Sequence, residues 1–314
     1  MKISLIQMNS QSDRDLNLHS AMILMHQAIE RDRPDLMVLP EHFDWSGGTA
    51  AEKLAAADDM PGGKAYRMLQ EFAAREQIWI HGGSLLERIG GSPKIYNTTV
   101  VFDPKGREVG RYRKIHLFDI EAPDGKIYRE SETVAPGGKL FIYEAHGFRI
   151  GCAICYDLRF PLLFDALSSA GVDVVILPAA FTLQTGKDHW EVLCRARSIE
   201  LQAYFVACGQ WGSYIAANGE RRFTYGNSLV CDPWGQVIAR AVDQVGVLST
   251  HIDRTRVAVV RQLIPTASHK TSFEGLARAS LDCGIADSCG CSSCTGRRHD
   301  GAPDSCSGET MSHP

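Results

Sequence analysis

The chain has 314 residues, with 33 Lys and Arg against 37 Asp and Glu and a formal net charge of −4. A chain of this size buries roughly three quarters of its unfolded surface, so neither disulfide nor metal is needed to hold a core, and the missing basic surplus excludes a nucleic-acid partner. The opening MKISLIQMNSQSDRD turns charged before a signal-type apolar run builds up, and no window holds about 18 continuous apolar residues, so the expectation is a soluble cytoplasmic protein with no membrane partner.

Between Arg14 and Arg31, Leu18, Met22, Met25 and Ile29 recur at the spacing of an amphipathic helix, and DLMVLP (Asp35–Pro40) follows as a buried strand. Helices are expected again at Lys64–Gln77 before IWIHGG, at Arg159–Ala170 before DVVILP (Asp173–Pro178), and at His189–Ala203 before YFVACG. This alternation argues for an α/β fold. Two segments interrupt it, Thr98–Arg113 and Asn227–Val242, each with a D-P-x-G turn between apolar runs. Pro second and Gly fourth fit a type I turn, so both read as hairpins, and the repetition suggests two sheets packed face to face with helices outside. From about Ser280 the sequence is rich in Ser, Gly, Asp and Cys without apolar period. The expected division is a single domain over 1–279 and a disordered tail over 280–314.

Five of the ten cysteines precede residue 240 and five fall from Cys283 onward, a scatter that suits reduced thiols better than a secreted disulfide framework. Cys152 and Cys155, in RIGCAICYDLRFP, raise the question of a redox pair. If FRIGCAI is a strand, three residues at ~3.3 Å each put the two Cα atoms about 10 Å apart. A disulfide requires less than about 7 Å. A zinc site needs a second ligand pair, which the core lacks; only Cys289, Cys291 and Cys294 of the tail, with His299, come close. Cys152 then reads as core filling, whereas Cys155 sits at a strand end before DLRFP, where the chain turns into a helix. Such an elbow exposes a side chain at the sheet edge and aims backbone N–H groups at what it attacks.

A thiol of ordinary pKa needs a base. His42, His116 and His189 each follow or open an element, and none stands out. A carboxylate is the alternative: Glu41 ends DLMVLPE as Cys155 ends its own strand, and Lys114 closes GRYRK. Three strands thus each deliver one polar residue at the sheet end where α/β folds place their sites.

These residues resemble the nitrilase, or carbon–nitrogen hydrolase, superfamily and its Glu–Lys–Cys triad. The matching segments are LPEHF, YRKIHLFD and GCAICYDLRFP, supported by IYNTTVVFDPKG, TGKDHWEVLCRARSIELQAYFVACGQ and TYGNSLVCDPWG. The resemblance spans roughly residues 1–270, departs from the usual pattern at IPTASHKTSF, and implies a four-layer αββα sandwich whose subunits pair through helices beside the nucleophile, as a homodimer or higher homo-oligomer. CYDLRFP is similar to the amidase-type branch of omega-amidases and deaminated-glutathione amidases. The resemblance implies Glu41 as base, Cys155 as nucleophile, and Lys114 with the Tyr156 backbone N–H as oxyanion donors. It also implies a second glutamate beside the lysine, best matched by Glu130 with Glu132 as fallback, and neither metal nor organic cofactor. Phe118, Phe181 and Thr182 are candidate walls for a small carboxylate-bearing amide. N-carbamoyl amide hydrolysis, nitrile hydrolysis, and an inactive scaffold with a metal-binding tail are the other readings.

Overall fold

In the computed structural model, which describes residues 1–271, two large sheets repeat one plan. At the centre of the first, strands Lys2–Gln7, Leu36–Val38 and Trp79–His81 lie parallel. At the centre of the second, Phe148–Cys152, Val174–Ala179 and Tyr204–Gly209 do the same. Parallel neighbours require long crossovers, and helices Arg14–Asp32 and Lys64–Glu76 supply them in the first half, Pro161–Ser169 and Leu183–Leu201 in the second. Each sheet continues into a D-P-x-G hairpin: Ile95–Phe102 with Glu108–Arg113, and Leu229–Cys231 with Val237–Arg240. Strands Leu85–Arg88 and Gly246–His251 complete the first sheet, and Ile142–Ala145 the second.

Side-chain alternation decides which face meets what. Ile3, Leu5, Leu36 and Val38 join Ile150, Val174 and Ile176 in the core between the sheets. Ile6, Met37, Ile80 and Phe102 pack outward against Leu24, Met25, Leu69 and Phe72 of the first pair of helices. The Cys208 thiol, from the second sheet, donates to the Ile6 and Val38 carbonyls of the first at 3.4 and 3.5 Å, pinning the two faces together. On the far side Phe164 meets Phe205, ring centroids 5.9 Å apart, so the second pair of helices forms the fourth layer of an α/β sandwich.

The last of these helices begins at Leu183 rather than His189. Gly186, which reads as a breaker in sequence, lies against Tyr225, where an added Cβ would stand 2.3 Å from that residue's own Cβ. Glycine is there for close approach, and the helix runs through it. Helix Ala50–Ala56 buries no side chain and so leaves no apolar stripe to read. Helix Arg254–Leu263, the short turn Thr266–His269, and the hairpins Asp119–Glu121/Ile127–Arg129 and Trp211–Ile215/Arg221–Tyr225 are further elements that apolar period does not announce. No helix among the described residues is long and apolar enough to cross a membrane. The expected boundary at residue 280, and Cys289, Cys291, Cys294 and His299, lie outside the described residues.

Candidate active site

Strand Phe148–Cys152 ends in a tight turn, Cys155–Arg159. Its first backbone bond runs from the Asp157 N–H to the Ile154 carbonyl at 3.0 Å, so the Tyr156 N–H precedes the first donor of the turn. Cys155 has φ +48°, a left-handed conformation costly for a residue with a Cβ. Asp157 holds it. This fully buried carboxylate accepts from the Ile154 N–H at 2.9 Å, the Tyr112 hydroxyl at 2.7 Å and the His116 N–H at 3.0 Å, tying the elbow to the segment after Lys114. His116 adds a 2.7 Å contact from Nδ1 to the same carboxylate and stacks on Phe160 at 3.6 Å. His189 lies beside Arg159 at 3.2 Å.

Cys152, three positions earlier, is a fully buried strand residue in the inter-sheet core. The two thiols belong to different environments.

Against Cys155 stand three charged groups from the first half of the chain. Lys114, directly after strand Glu108–Arg113, places Nζ 3.0 Å from Glu41 Oε1 and 2.8 Å from Glu130 Oε2. Asn97 Nδ2 donates to Glu41 Oε1 at 2.9 Å and reaches Glu130 Oε1 at 3.3 Å. The second sheet closes the arrangement: the Ala180 N–H donates to Glu41 Oε2 at 2.8 Å. The Glu41 carboxylate also faces the Cys155 thiol closely enough for each to act on the other's proton affinity. Of the two candidates for the second glutamate, Glu130 reaches Lys114 and also accepts from the Phe118 N–H at 2.7 Å, while Glu132 is exposed.

The protonation states follow from this packing. Burial pushes the Cys155 thiol well above its ordinary value, and the Glu41 carboxylate pushes it further. Burial alone would raise Glu41, but the Lys114 ammonium and the Cys155 thiol bring it down to about 2. Burial would lower Lys114, and Glu130 and Glu41 reverse that, holding it well above the usual lysine range. The resting site is therefore a thiol, two carboxylates and one ammonium. His42 is neutral, its pKa lowered by burial to about 4. One ligand atom from each of Glu41, His42 and Glu130 lie within 4.8 Å of one another, a spacing a metal ion accepts, but the Lys114 ammonium already bonds both carboxylates.

Cys155 opens into a cavity of about 450 Å³, which Phe118, Phe181 and Thr182 also line. Phe181 is backed by Trp190, ring centroids 4.9 Å apart, and the Thr182 hydroxyl bonds that of Thr185 at 2.8 Å. The profile of the carbon-nitrogen hydrolase family matches residues 2–262. The chain belongs to the carbon-nitrogen hydrolase family.

Within this family it is 40% identical over 268 residues to a deaminated glutathione amidase of Synechocystis, covering 84% of this chain and 96% of that one. It is 34% identical over 278 residues to the mouse omega-amidase NIT2, covering 86% and 94%. Among solved structures it resembles the NitFhit protein of C. elegans, with a TM-score of 0.78 and 34% identity; the match covers 86% of this chain and 64% of that longer one.

Several residues of this carbon-nitrogen hydrolase site escape sequence reasoning. Asn97 sits mid-strand in IYNTTVVF, where its only signal is an amide among β-formers. Asp157 belongs to CYDLRFP but is masked by its more reactive neighbour. Lys53, Tyr214 and Arg222 reach the cavity from the short helix Ala50–Ala56 and the hairpin Trp211–Ile215/Arg221–Tyr225, elements that leave no apolar period.

Proposed function

We propose that this carbon-nitrogen hydrolase is an amidase that converts a small carboxylate-bearing amide, of the omega-amide kind, to acid and ammonia through a cysteine thioester. The observation that carries the reading is Glu41, buried, facing the Cys155 thiol and bonded to Lys114 at 3.0 Å in one cavity. The names of the relatives, deaminated glutathione amidase and omega-amidase, point to the same class of substrate.

Because the thiol holds its proton more tightly than Glu41 does, transfer to Glu41 is coupled to attack rather than completed before it. As Sγ bonds the amide carbon, the carbonyl π pair moves to oxygen, and the oxyanion is met by Lys114 Nζ and the Tyr156 N–H. A single donor of this kind contributes about 3–4 kcal/mol. Collapse expels the amine nitrogen, which takes the proton from Glu41 and leaves as ammonia. Glu41 then removes a proton from water, whose oxygen attacks the thioester; the acid departs and the thiol is reprotonated. Glu130 holds Lys114 in place and orients the substrate amide, against walls formed by Phe118, Phe181 and Thr182.

The protein acts as a homodimer or higher homo-oligomer in this reading. Leu162, 85% exposed on helix Pro161–Ser169, and Val192, 66% exposed on helix Leu183–Leu201, give the outer layer an apolar face next to the elbow. Residues 280–314 are dispensable for turnover, so truncation after Ser280 leaves activity unchanged.

The test is ammonia release from 2-oxoglutaramate, deaminated glutathione, a simple aliphatic amide, an N-carbamoyl amine and a nitrile. The omega-amides are expected to give the highest kcat/KM, Cys155→Ala none, and Cys152→Ala nearly wild-type turnover. A nitrile or carbamoyl compound ranking first sinks the amidase reading.

A further inference from the structure

The chain carries a net charge of −4, yet the charged residues lining its cavity are five cations and two carboxylates. Both carboxylates, Glu41 and Glu130, are already bonded to one of those cations, Lys114. Three of the other four also have contacts that occupy them. Arg129 donates to the Tyr128 carbonyl at 3.0 Å. Arg159 lies over the Phe181 ring at 5.3 Å and against His189. Arg222 donates to the Ile127 carbonyl at 3.0 Å, covers the Tyr128 ring at 4.3 Å and has Nε 3.6 Å from Glu220.

Lys53 is different. Among the described residues its ammonium forms no hydrogen bond and no ion pair within 4 Å, although its side chain lines the cavity alongside Glu41, Lys114 and Cys155. Its backbone is firmly held. Thr49 and Glu52 form a reciprocal cap, with the Glu52 N–H on Thr49 Oγ1 at 3.2 Å and the Thr49 N–H on Glu52 Oε2 at 2.7 Å. The Gly48 N–H, bonded to the Ile215 carbonyl at 3.1 Å, fastens the segment before this helix to strand Trp211–Ile215. Desolvation of the ammonium lowers its pKa, and nearby Lys114 adds to that, while Glu130 and Glu41 oppose it without reaching contact. A half-buried ammonium on a held backbone, lining the cavity without a counter-ion, is an arrangement that an anionic ligand completes.

We propose that Lys53 is the anchor for the substrate's distal carboxylate, and thus the residue that makes the enzyme select acidic amides over neutral ones. The assignment rests on the amidase reading for its substrate class. Lys53 binds and orients; it takes no proton in the reaction. A carboxylate on Lys53 fixes one end of the chain while the amide end meets Cys155, so recognition and chemistry fall to different residues of one pocket.

The experiment compares glutaramate with pentanamide, of equal length but without the carboxylate, in the wild type, Lys53→Met and Lys53→Arg. Lys53→Met is expected to lower the ratio of kcat/KM for the acidic over the neutral amide by about 100-fold, mainly through KM, and Lys53→Arg to restore much of it. A parallel measurement needs no turnover: glutarate binding to Cys155→Ala is expected to weaken at least about tenfold when Lys53→Met is added. An unchanged ratio, with both substrates falling together or neither falling, overturns the assignment. If the wild type releases ammonia from no amide, the amidase reading fails, and glutarate then decides on Lys53 alone: equal affinity with and without the ammonium, or no binding at all, refutes it.

Discussion

The two D-P-x-G hairpins have the same turn and opposite uses. In the first, Asp103 Oδ1 accepts from the Lys105 and Arg107 N–H groups at 2.9 Å each, and the Gly106 N–H closes on the Asp103 carbonyl at 2.8 Å. In the second, Asp232 Oδ1 accepts from Trp234 at 3.0 Å and Gln236 at 2.9 Å, with the Gly235 N–H on the Asp232 carbonyl at 2.9 Å. Both arms carry a bulge. At the end away from the turn the first hairpin closes with the Lys114 N–H on the Asn97 carbonyl at 2.9 Å, and the second with the Ala241 N–H on the Ser228 carbonyl at 2.7 Å. The turn thus specifies a piece of scaffold, and the residue pair at the open end determines whether that scaffold reaches chemistry.

Substitution at the two open ends tests this contrast. Lys114→Met should lower kcat/KM by about a thousandfold, the effect of losing an oxyanion donor, and should destabilise the fold by about 3–5 kcal/mol because two buried carboxylates lose their partner. Ala241→Ser should change neither activity nor stability beyond about 0.5 kcal/mol. Steady-state kinetics and urea denaturation read both; a modest kinetic loss in Lys114→Met would remove the distinction.

The next pair sharpens the contrast. Asn97→Leu deletes the amide that bonds Glu41 at 2.9 Å, and a hydrogen bond to a charged group contributes about 2 kcal/mol, so kcat/KM should fall about 30-fold. Ser228→Ala deletes a hydroxyl that accepts from the Gly209 N–H at 2.8 Å and donates to Gln7 at 2.9 Å. Here about 1–3 kcal/mol of stability should go with kcat/KM unchanged. Equal kinetic losses in the two variants would mean that both hairpins serve the site.

The smallest expected effect is a difference in pH response. His81 pairs with Val101 of the first hairpin, and burial lowers its pKa from 6.5 to about 3. A depressed histidine stabilises the fold above its unfolded pKa, and that contribution is lost as pH falls from there toward the folded value, here from 6.5 toward 3. Between pH 7 and pH 5 the loss is about 2 kcal/mol. In the second half, burial pushes the thiols of Cys152, Cys194, Cys208 and Cys231 upward, so they stay neutral over the same interval. His81→Leu should make the fall in stability between pH 7 and pH 5 smaller by about 2 kcal/mol, whatever its effect at neutrality, with buried His42 keeping its own share of the fall; an unaltered slope would assign the acid sensitivity elsewhere.

Glu41, Lys114 and Cys155 are legible in the sequence because each follows an apolar strand abruptly, and a polar residue at such an end contrasts with what precedes it. The central strands and the hairpins are legible for the same reason: period and turn chemistry are local. Asn97 is not, because a buried amide inside a strand becomes meaningful only when a carboxylate from 56 positions away arrives beside it. Lys53 is not, because AAEKLAA has no apolar stripe and reads as an ordinary solvated helix. Gly186 misleads outright, since its breaker signal is local and the Tyr225 that explains it is remote. What sequence conceals in this chain is the work of groups whose role is defined by a distant partner.

The left-handed backbone at Cys155 has a bearing on selection. Glycine adopts φ near +48° without the cost that a Cβ brings, so Cys155→Gly would ease the elbow at the same stroke that removes the nucleophile. Folding and catalysis therefore pull this position in opposite directions. A library screened for solubility or heat resistance alone would drift toward glycine there and fill with well-behaved, inert proteins; only a screen that demands turnover would keep the sulfur.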